Sequence, residues 1–422
     1  MQRIAHTPRP DWKQRVEEIG FTFHTIVTDE DPTGVYWDES AYWAFSEAEI
    51  DTLDDAATEL HQMCLAAAEH VVSQRLYGLL GIPPHVAKQV EASWRAREGL
   101  DQFSLYGRFD LAWSGAGSGP PKLLEYNADT PTALFESAVV QWHWLEECFP
   151  EADQFNSIHE KLVERWALFA RSRRDMLSDR GRLAHDEPAR HLHLTCTLPN
   201  DEDEGTLNYI AQTAMEAGLA VKTIAIQDIG WTVGPRGGHF SDLQGDEIRA
   251  LFKLYPWEWL VKEEFGGHLL DTLAAGRIVA IEPAWKMLLS NKGILPILWE
   301  LYPHHPYLLE AHFRADRFRP GSRVVAKPLL SREGANISIA ELGPDGLPAG
   351  APLIETGGMY GAEGYVYQAF NPVRAEALPD GRTIHAAIGA FMVGDACAGI
   401  GIREDSTTIT RNTSRFVPHL FR

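Results

Sequence analysis

Cysteines, basic residues and long apolar runs are scarce in this chain of 422 residues. Its four cysteines are widely separated and include no CxxC pair, which indicates buried thiols in a reducing compartment rather than a disulfide framework. No apolar run reaches the roughly 18 residues of a membrane-spanning helix. The N-terminal stretch MQRIAHTPRPDW lacks the apolar core of a signal peptide. We therefore expect a cytoplasmic protein without a membrane partner.

The balance of charge excludes a second class of partner. Lysine and arginine number 38 against 59 aspartates and glutamates, which gives a net charge of −21. Nucleic-acid-binding proteins usually present a basic face, so no nucleic-acid partner is expected. The negative charge favours solubility and would steer a cationic substrate toward the protein, although many cytosolic enzymes are acidic without such a role.

The chain has enough apolar sequence for several domains. Apolar residues make up 45% of it, and its length predicts two or three domains. We expect three parts, over residues 1–185, 186–285 and 286–422. The first is largely helical around an aromatic-rich hairpin, the second alternates strands and helices, and the third ends in short strands with glycine-rich connectors.

Some elements are predicted closely enough to be checked one by one. Residues 46–80 have helical periodicity and begin with a Ser46 cap that is followed three residues later by Glu49. Helices rich in Trp and Leu are expected over about 245–302. The segment GPRGGHF, residues 234–240, is expected to be a loop because of its glycine and proline content.

A predicted hairpin places four polar side chains on one face. The strands RFDLAW and KLLEYN are joined by a turn-like loop over 114–121. If this loop is symmetric, Asp110 lies opposite Glu125 and Arg108 lies opposite Asn127, and alternation along each strand directs all four to the same side. The other side then carries the apolar residues Phe109, Leu111, Leu124 and Tyr126. A β-bulge would shift this register.

The polar face of the hairpin admits two interpretations. An Asp and a Glu this close repel each other unless a cation lies between them, and oxygen ligands with open positions suit Mg²⁺ and phosphate oxygens. Judged alone, such a pair is more often part of a salt-bridged surface, with Arg108 as the partner. The amide of Asn127 and the paired residues on both strands favour the metal–phosphate site.

Three further segments have features of a nucleotide site. VVAKPLLSREGANISI has Lys327 at a strand end and a glycine turn that can cover phosphates. EGYVYQAFNP leads to Gln368 and Ala369, whose backbone can pair with an adenine edge. Lys292 and Arg403 add single cations at a helix start and a strand end. Each feature alone is also typical of an ordinary strand, and no Walker motif is present.

Together these segments resemble an ATP-grasp ligase, specifically the synthetase domain of glutathionylspermidine synthase and its stand-alone relatives. The resemblance runs nearly end to end and is carried by SLYGRFDLAW, LLEYNADTPTAL, FKLYPWEW, EPAWKMLLSNKGILPILWE, VVAKPLLSREGANISI, VYQAFNP and GIGIRED. It implies an α+β / α/β fold, a circularly permuted ATP-grasp of the glutathione-synthetase-like type with an inserted α/β substrate-side domain. Permutation would explain why Glu125 and Asn127 precede Lys292, since ordinary ATP-grasp chains place the metal residues after the lysines.

The resemblance also assigns roles to residues and to the three parts. The first part would hold the metal-binding hairpin, 186–285 would be the inserted domain, and 286–422 would hold the ATP-grasp lid, the adenine hinge and the C-terminal strands. Arg108 would be the catalytic, transition-state-stabilising residue. The cofactors implied are ATP and two Mg²⁺ ions, with the metal ligands Asp110, Glu125 and Asn127. The remaining ATP-binding residues would be Lys292, Lys327, the lid glycine Gly334, Gln368, Ala369 and Arg403, and Thr130 would touch the acid substrate.

The activity implied is ATP-dependent joining of a carboxylate to an amine through an acyl phosphate, with release of ADP and phosphate. The partners would be a small-molecule acid, glutathione-like or a peptide, and a polyamine or other amine. The bifunctional relatives carry an additional amidase domain with a catalytic Cys, and amidase activity is not expected here. Two alternatives stay open: a phosphoryl-transfer ATP-grasp enzyme with another acceptor, and an inactive protein that binds nucleotides or polyamines. The sequence leaves the oligomeric state and both substrates open.

Overall fold

The computed structural model describes residues 1–27, 34–99, 102–178, 191–234 and 237–422. The α-helices are α1 (Trp12–Glu18), α2 (Glu47–Gln74), α3 (Pro84–Arg95), α4 (Gln141–Cys148), α5 (Ile158–Ser178), α6 (Asp201–Glu216), α7 (Trp257–Leu260), α8 (Gly266–Ala274), α9 (Met287–Ser290) and α10 (Ile294–Leu301). Short 3₁₀ turns cover Leu76–Leu80, Ile226–Asp228, Ala284–Lys286 and Ala315–Arg317, and a π-helical turn covers Glu136–Val140.

In the described part of the chain the strands form five sheets. They are β1 (Gln2–Ala5), β2 (Ala41–Phe45), β3 (Tyr106–Ala112), β4 (Lys122–Asn127), β5 (Leu192–Cys196), β6 (Val221–Ala225), β7 (Gly230–Gly234), β8 (Gly237–Ser241), β9 (Ala250–Leu254), β10 (Val279–Ile281), β11 (Ala311–His312), β12 (Arg323–Pro328), β13 (Ser338–Glu341), β14 (Ile354–Glu355), β15 (Tyr365–Ala369), β16 (Arg374–Ala377), β17 (Thr383–Val393), β18 (Ala396–Asp405), β19 (Arg415–Val417) and β20 (His419–Phe421). The architecture is therefore mixed α/β with several sheets.

Two antiparallel sheets contain most of the predicted site residues. One has the order β19-β18-β17-β3-β4, with β16 also paired to β17, and the other has the order β11-β15-β12-β13-β14. A third sheet, β10-β9-β5-β6, is parallel. Parallel sheets need both faces covered, and side chains of β5, such as Leu194, share a buried apolar cluster with Ile210 of α6.

Helix α2 shows how local sequence sets the fold beneath the site. The Ser46 side chain accepts the N–H of Glu49, and the Glu49 carboxylate accepts the N–H of Ser46, which confirms the predicted capping box. The apolar side of the helix, including Leu53 and Leu60, is fully buried in one core with Leu111 of β3. The hairpin therefore packs against α2 through this core.

The predicted hairpin register is confirmed over its polar half and differs beyond a bulge. Asp110 pairs with Glu125 and Arg108 pairs with Asn127. The register then shifts, and Leu111 pairs with Leu123. The prediction that Leu124 faces the core is therefore wrong, because the bulge makes Leu124 the extra residue and it lines the cleft instead.

Two local predictions are corrected by the parallel sheet and its neighbouring hairpin. The prediction that helices fill about 245–302 is wrong in part, since β9 and β10 lie within this range as buried strands. Periodicity cannot distinguish a short buried strand from a buried helical segment. Part of the predicted loop 234–240 is also strand, because β8 starts at Gly237 and pairs with β7.

The expected division at residue 185 lies outside the described residues, so the three-part organisation stays a prediction. None of the helices in the described part of the chain combines the length and the apolar character that crossing a bilayer requires.

Candidate active site

A cleft open to solvent separates the two antiparallel sheets and contains about 670 Å³ of empty space. One wall is the hairpin, with Asp110, Leu124 and Glu125, and the other is β12 with Lys327 and β15 with Gln368. The hairpin and the predicted nucleotide segments therefore meet at one place.

Asp110 is held between two arginines. Arg108 Nε donates to Asp110 Oδ1 at 2.7 Å, and Arg403 Nη2 donates to Asp110 Oδ2 at 2.6 Å. Burial raises the pKa of Asp110, but the two guanidinium groups outweigh burial and the pKa is lowered. Arg108 also donates to the carbonyl of Thr132 at 2.6 Å, so its guanidinium is fixed beside Asp110.

The charge of Glu125 is balanced by the two predicted lysines, Lys292 and Lys327. Lys292 Nζ lies 2.9 Å from Glu125 Oε2, and burial, which raises the Glu125 pKa, is outweighed by the charges of Lys292 and Lys327, so the pKa is lowered. Burial lowers the pKa of Lys327 to about 8. Lys327 Nζ donates to Gln368 Oε1 at 2.7 Å and to the carbonyl of Leu124 at 2.9 Å. Both lysines thus reach the hairpin.

Asn127 completes the polar face and fits the predicted metal. Its Oδ1 atom is buried and accepts no hydrogen bond, which is unusual for a buried acceptor and is expected of an oxygen placed for a cation. Within the described ranges, no group of three or more His, Cys, Asp or Glu side chains is arranged to hold a metal ion. The protein ligands of the predicted magnesium would be two carboxylates, Asp110 and Glu125, and one amide.

The far end of the cleft is apolar, as an adenine slot would be. Val325, Ile337 and Ile339 line it. The predicted hinge is in this region, but the N–H of Ala369 already donates to the carbonyl of Glu310 at 2.7 Å. That N–H is therefore engaged, and the Gln368 side chain is directed toward Lys327 rather than to the slot.

The neighbours of the predicted lid glycine leave no room for a side chain at that position. Gly334 has a φ of +70°, and a Cβ there would lie 2.6 Å from the carbonyl oxygen of Thr410. Thr408, Ile409 and Thr410 line the same cleft. Sequence reasoning missed this loop, because a polar run such as TTIT carries no signal of binding.

Thr130 lies beneath the lid rather than in the cleft lining. Arg332 Nη1 donates to Thr130 Oγ1 at 2.5 Å, and Arg332 Nε donates to Glu258 Oε1 at 3.1 Å. Asp129 forms a buried pair with Lys253 and accepts the N–H of Trp257 at 2.9 Å. Arg332 and Glu258 were also missed, although Glu258 lies in the aromatic YPWEW motif.

The comparisons with known proteins show which family the chain is similar to. A family model described as glutathionylspermidine synthase preATP-grasp matches residues 3–422. A Haemophilus influenzae protein provisionally named an acid–amine ligase is 39% identical over 426 residues, covering 100% of both chains.

More distant relatives are longer. A trypanothione synthetase from Crithidia fasciculata is 28% identical and covers 85% of this chain, which spans 53% of it. A bifunctional glutathionylspermidine synthetase/amidase from Escherichia coli is 25% identical and covers 89% of this chain, which spans 58% of it. The solved structure of a glutathione synthetase-like effector from Globodera pallida superposes with a TM-score of 0.56 at 10% identity, covering 98% of this chain and 96% of that one, which shows similarity of fold alone.

Proposed function

The chain belongs to the glutathionylspermidine synthase family, and we propose that it is an ATP-dependent ligase that joins a small-molecule carboxylate to an amine. The observation that carries the proposal is the hairpin face opposite the two lysines. Asp110, Glu125 and the unpaired oxygen of Asn127 lie there beside Lys292 and Lys327. Such a set suits a nucleotide triphosphate with its metal.

In this proposal Arg108 is the catalytic residue. A carboxylate oxygen of the acid substrate attacks the terminal phosphorus of ATP, the bond to ADP breaks, and an acyl phosphate and ADP are formed. The amine nitrogen then attacks the acyl carbon, inorganic phosphate leaves, and the nitrogen loses a proton to give the amide. Arg108, Arg403 and the lysines stabilise negative charge that develops at the phosphoryl group and at the acyl oxygen. Their positions are fixed by burial and by ion pairs with the hairpin.

Magnesium would be held by Asp110, Glu125 and Asn127, and two ions would neutralise the phosphate charge. Asp110 is paired with two arginines and Glu125 with Lys292, so positive charge is favoured beside these carboxylates. Lys292 and Lys327 would bind phosphate oxygens, and the apolar slot near Ala369 would take the base. Thr130, beside Arg332, would contact the acid.

The lid around Gly334 would exclude water, because an acyl phosphate exposed to solvent hydrolyses. Its closeness to Thr410 supports this role. We further propose that the ATP-grasp is circularly permuted, with the metal hairpin preceding the lid, and that 186–285 is an inserted substrate-side domain. The order of β3 and β4 before β12 along the chain supports the permutation.

A phosphate-release screen would identify the acid and the amine. Thiol peptides, dipeptides and polyamines are combined with ATP and magnesium, and the product is weighed by mass spectrometry. We expect an amide together with ADP and phosphate. A phosphorylated product would favour the alternative phosphoryl-transfer enzyme, and nucleotide binding without phosphate release from any pair would favour an inactive binding protein.

Glu125→Gln serves as the negative control of this screen, because it removes one proposed metal ligand. Glu264→Gln is the matched control, since Glu264 is exposed and lies outside the cleft lining. Phosphate release that survives Glu125→Gln at full rate would contradict the proposed metal site.

A further inference from the structure

The side of the hairpin that faces away from the cleft is packed into an apolar core that contains a histidine. The rings of Phe109 and Tyr126 are cross-strand partners and stack with their centroids 3.9 Å apart. Both belong to the core that α2 shares with the hairpin. His61 of α2 lies beside them and is only 2% exposed. Neither the predicted metal site nor the predicted ATP site includes His61.

Hydrogen bonds connect His61 to residues on both of its sides. Its Nδ1 atom lies 3.2 Å from the Tyr126 hydroxyl, and its Nε2 atom lies 3.1 Å from Asp395 Oδ1. With its hydrogen on Nε2, the imidazole accepts the hydrogen of Tyr126 and donates its own to Asp395. This hydrogen bond from His61 lowers the pKa of Asp395, so the carboxylate at the end stays charged. We refer to Tyr126, His61 and Asp395 as the hydrogen-bond chain.

The two ends of the hydrogen-bond chain lie on different elements. Asp395 is in the tight turn between β17 and β18, where its side chain is 77% exposed. Tyr126 is buried in β4, and a Cβ on Gly107 would lie 2.9 Å from its hydroxyl oxygen. The ring of Tyr126 therefore lies over Gly107 of the neighbouring β3. The hydrogen-bond chain thus connects β4, α2 and the turn between β17 and β18.

Strand β4 has few backbone contacts to fix its position. In the described part of the chain it is the last strand of its sheet, so β3 is its one strand partner. The bulge at Leu124 interrupts the pairing with β3 directly before Glu125. An edge strand with an interrupted ladder depends more than an inner strand on its side-chain contacts.

Other contacts hold the two ends of β4. The N–H of Leu123 donates to the carbonyl of Tyr307 at 2.8 Å, and the N–H of Ala128 donates to Ser290 Oγ at 3.0 Å. Between these points lies the segment with the two proposed metal ligands. On its apolar side this segment is held by Tyr126.

The position of Tyr126 affects where the two ligands point. Glu125 and Asn127 are its direct neighbours, and alternation along the strand directs them to the opposite face. When the side chain of Tyr126 is held, the backbone on either side of it is held as well. A rotation or slip of β4 would move Glu125 and Asn127 relative to Asp110 on β3.

We propose that His61 is a positioning residue: oriented by Asp395, it holds Tyr126, and Tyr126 holds Glu125 and Asn127 at the spacing that the metal requires. Magnesium demands a near-ideal octahedral geometry, so small displacements of its ligands weaken binding. The inference rests on the proposed function, which places the metal at this hairpin. A histidine that only filled the core would stabilise the fold and leave metal affinity unchanged.

Metal affinity is measured without turnover. The full chain is saturated with a non-hydrolysable ATP analogue, Mn²⁺ replaces Mg²⁺, and free Mn²⁺ is measured by electron paramagnetic resonance. The test variant Tyr126→Phe keeps the stacked ring and removes only the hydroxyl. We expect its Kd for Mn²⁺ to rise about tenfold, the lower end of the effect of losing an outer partner of a metal ligand. An unchanged Kd would overturn the proposal.

Ser46→Ala is the control for a loss of stability. It destabilises the same helix by removing the cap of α2, but it leaves the hydrogen-bond chain intact. We expect its Kd for Mn²⁺ to equal that of the unaltered chain. A rise as large as that of Tyr126→Phe would mean that metal affinity follows stability alone, and would overturn the proposal.

The exposed end of the hydrogen-bond chain gives a second test, because no core packing changes there. Asp395→Ala removes the acceptor of His61 and should raise the Kd for Mn²⁺, though less than Tyr126→Phe does. Asp395→Asn keeps an oxygen acceptor and should restore the original Kd. The matched control Asp380→Ala, in the turn before β17, should have no effect. Equal Kd values in Asp395→Ala and Asp395→Asn would contradict the hydrogen-bond chain.

Hydrogen exchange tests the position of β4 with neither metal nor nucleotide present. The amides of 124–127 should exchange faster in Tyr126→Phe than in the unaltered chain, and the increase should be confined to the hairpin. An increase spread evenly over the core, as expected for Ser46→Ala, would show a general loss of stability and would contradict the positioning role.

Failure of this inference can be distinguished from failure of the proposed function. Mn²⁺ binding that depends on Tyr126 and Asp395, without phosphate release in the substrate screen, would contradict the ligase function and leave the positioning role standing. Phosphate release by Tyr126→Phe at the original magnesium requirement, together with an unchanged Kd for Mn²⁺, would contradict the positioning role alone. We expect instead that Tyr126→Phe needs more magnesium and reaches the original kcat once magnesium is saturating.

Discussion

The hairpin and the first turn of α6 both carry carboxylates shielded from water, yet their pKa values move in opposite directions. Burial raises the pKa in both places, but at Asp110 and Glu125 the neighbouring arginines and lysines outweigh it and the pKa values are lowered. At Glu202 and Asp203 burial raises the pKa values to about 8 and about 6, and neighbouring carboxylates add to this effect. Only a cationic partner reverses the effect of burial. In our proposal the hairpin is arranged for phosphate and metal.

The largest effect is expected at the hairpin from Arg108→Ala. If Arg108 stabilises the developing charge, kcat should fall roughly 10²–10³-fold, as when an oxyanion donor is removed. Arg314→Ala, at an exposed ion pair, should leave kcat unchanged. Steady-state phosphate release measures both. Turnover by Arg108→Ala at the original rate would remove Arg108 from the mechanism, and Arg108→Lys tests whether charge alone suffices.

The metal requirement should change next most strongly with Asn127→Ala. Removing the amide oxygen should raise the Mg²⁺ concentration for half-maximal activity about tenfold or more, because one ligand is lost while both carboxylates remain. The readout is a magnesium titration of phosphate release. Asn208→Ala, exposed on α6, is the control. An unchanged magnesium requirement in Asn127→Ala would mean that Asn127 is not a ligand.

Glu202 should make the stability of the protein depend on pH. The folded pKa of Glu202, about 8, lies above the unfolded value near 4.3, so the folded state binds the extra proton between these values. Stability should therefore fall as pH rises from about 4.5 to 8. Tm of the unaltered chain minus Tm of Glu202→Gln, measured across this range, should decrease by a few degrees. A difference that is flat with pH would contradict the raised pKa.

The smallest effect is expected at the cap of α2. Ser46→Ala removes the acceptor for the N–H of Glu49 and should lower the free energy of unfolding by about 1 kcal/mol. Activity should be unaffected, because α2 acts only through the core beneath the hairpin. Ser73→Ala at the other end of α2 is the control. Denaturant unfolding gives the comparison, and a loss of kcat without loss of stability would show a more direct role for the helix.

Much of the fold and the hairpin could be predicted because the signals are local. A symmetric loop over 114–121 gives the pairing of Asp110 with Glu125, alternation along β3 and β4 places both on one face, and a capping box marks the start of α2. The bulge at Leu124 and the strands β9 and β10 were not predictable, since a bulge depends on how the sheet curves and a buried strand lacks alternation. The hydrogen bond from Tyr36 to Glu136 joins residues 100 positions apart, which no local pattern encodes.

The pairing of Glu125 with Lys292 has a consequence for folding. The two residues are separated by the whole parallel sheet along the chain, and Asp110 is paired with Arg403 close to the C-terminal end. Closing such long loops costs entropy before any contact forms. The triphosphate end of the cleft therefore forms only when nearly the whole chain has folded. Nucleotide affinity should then depend on correct folding of the entire protein.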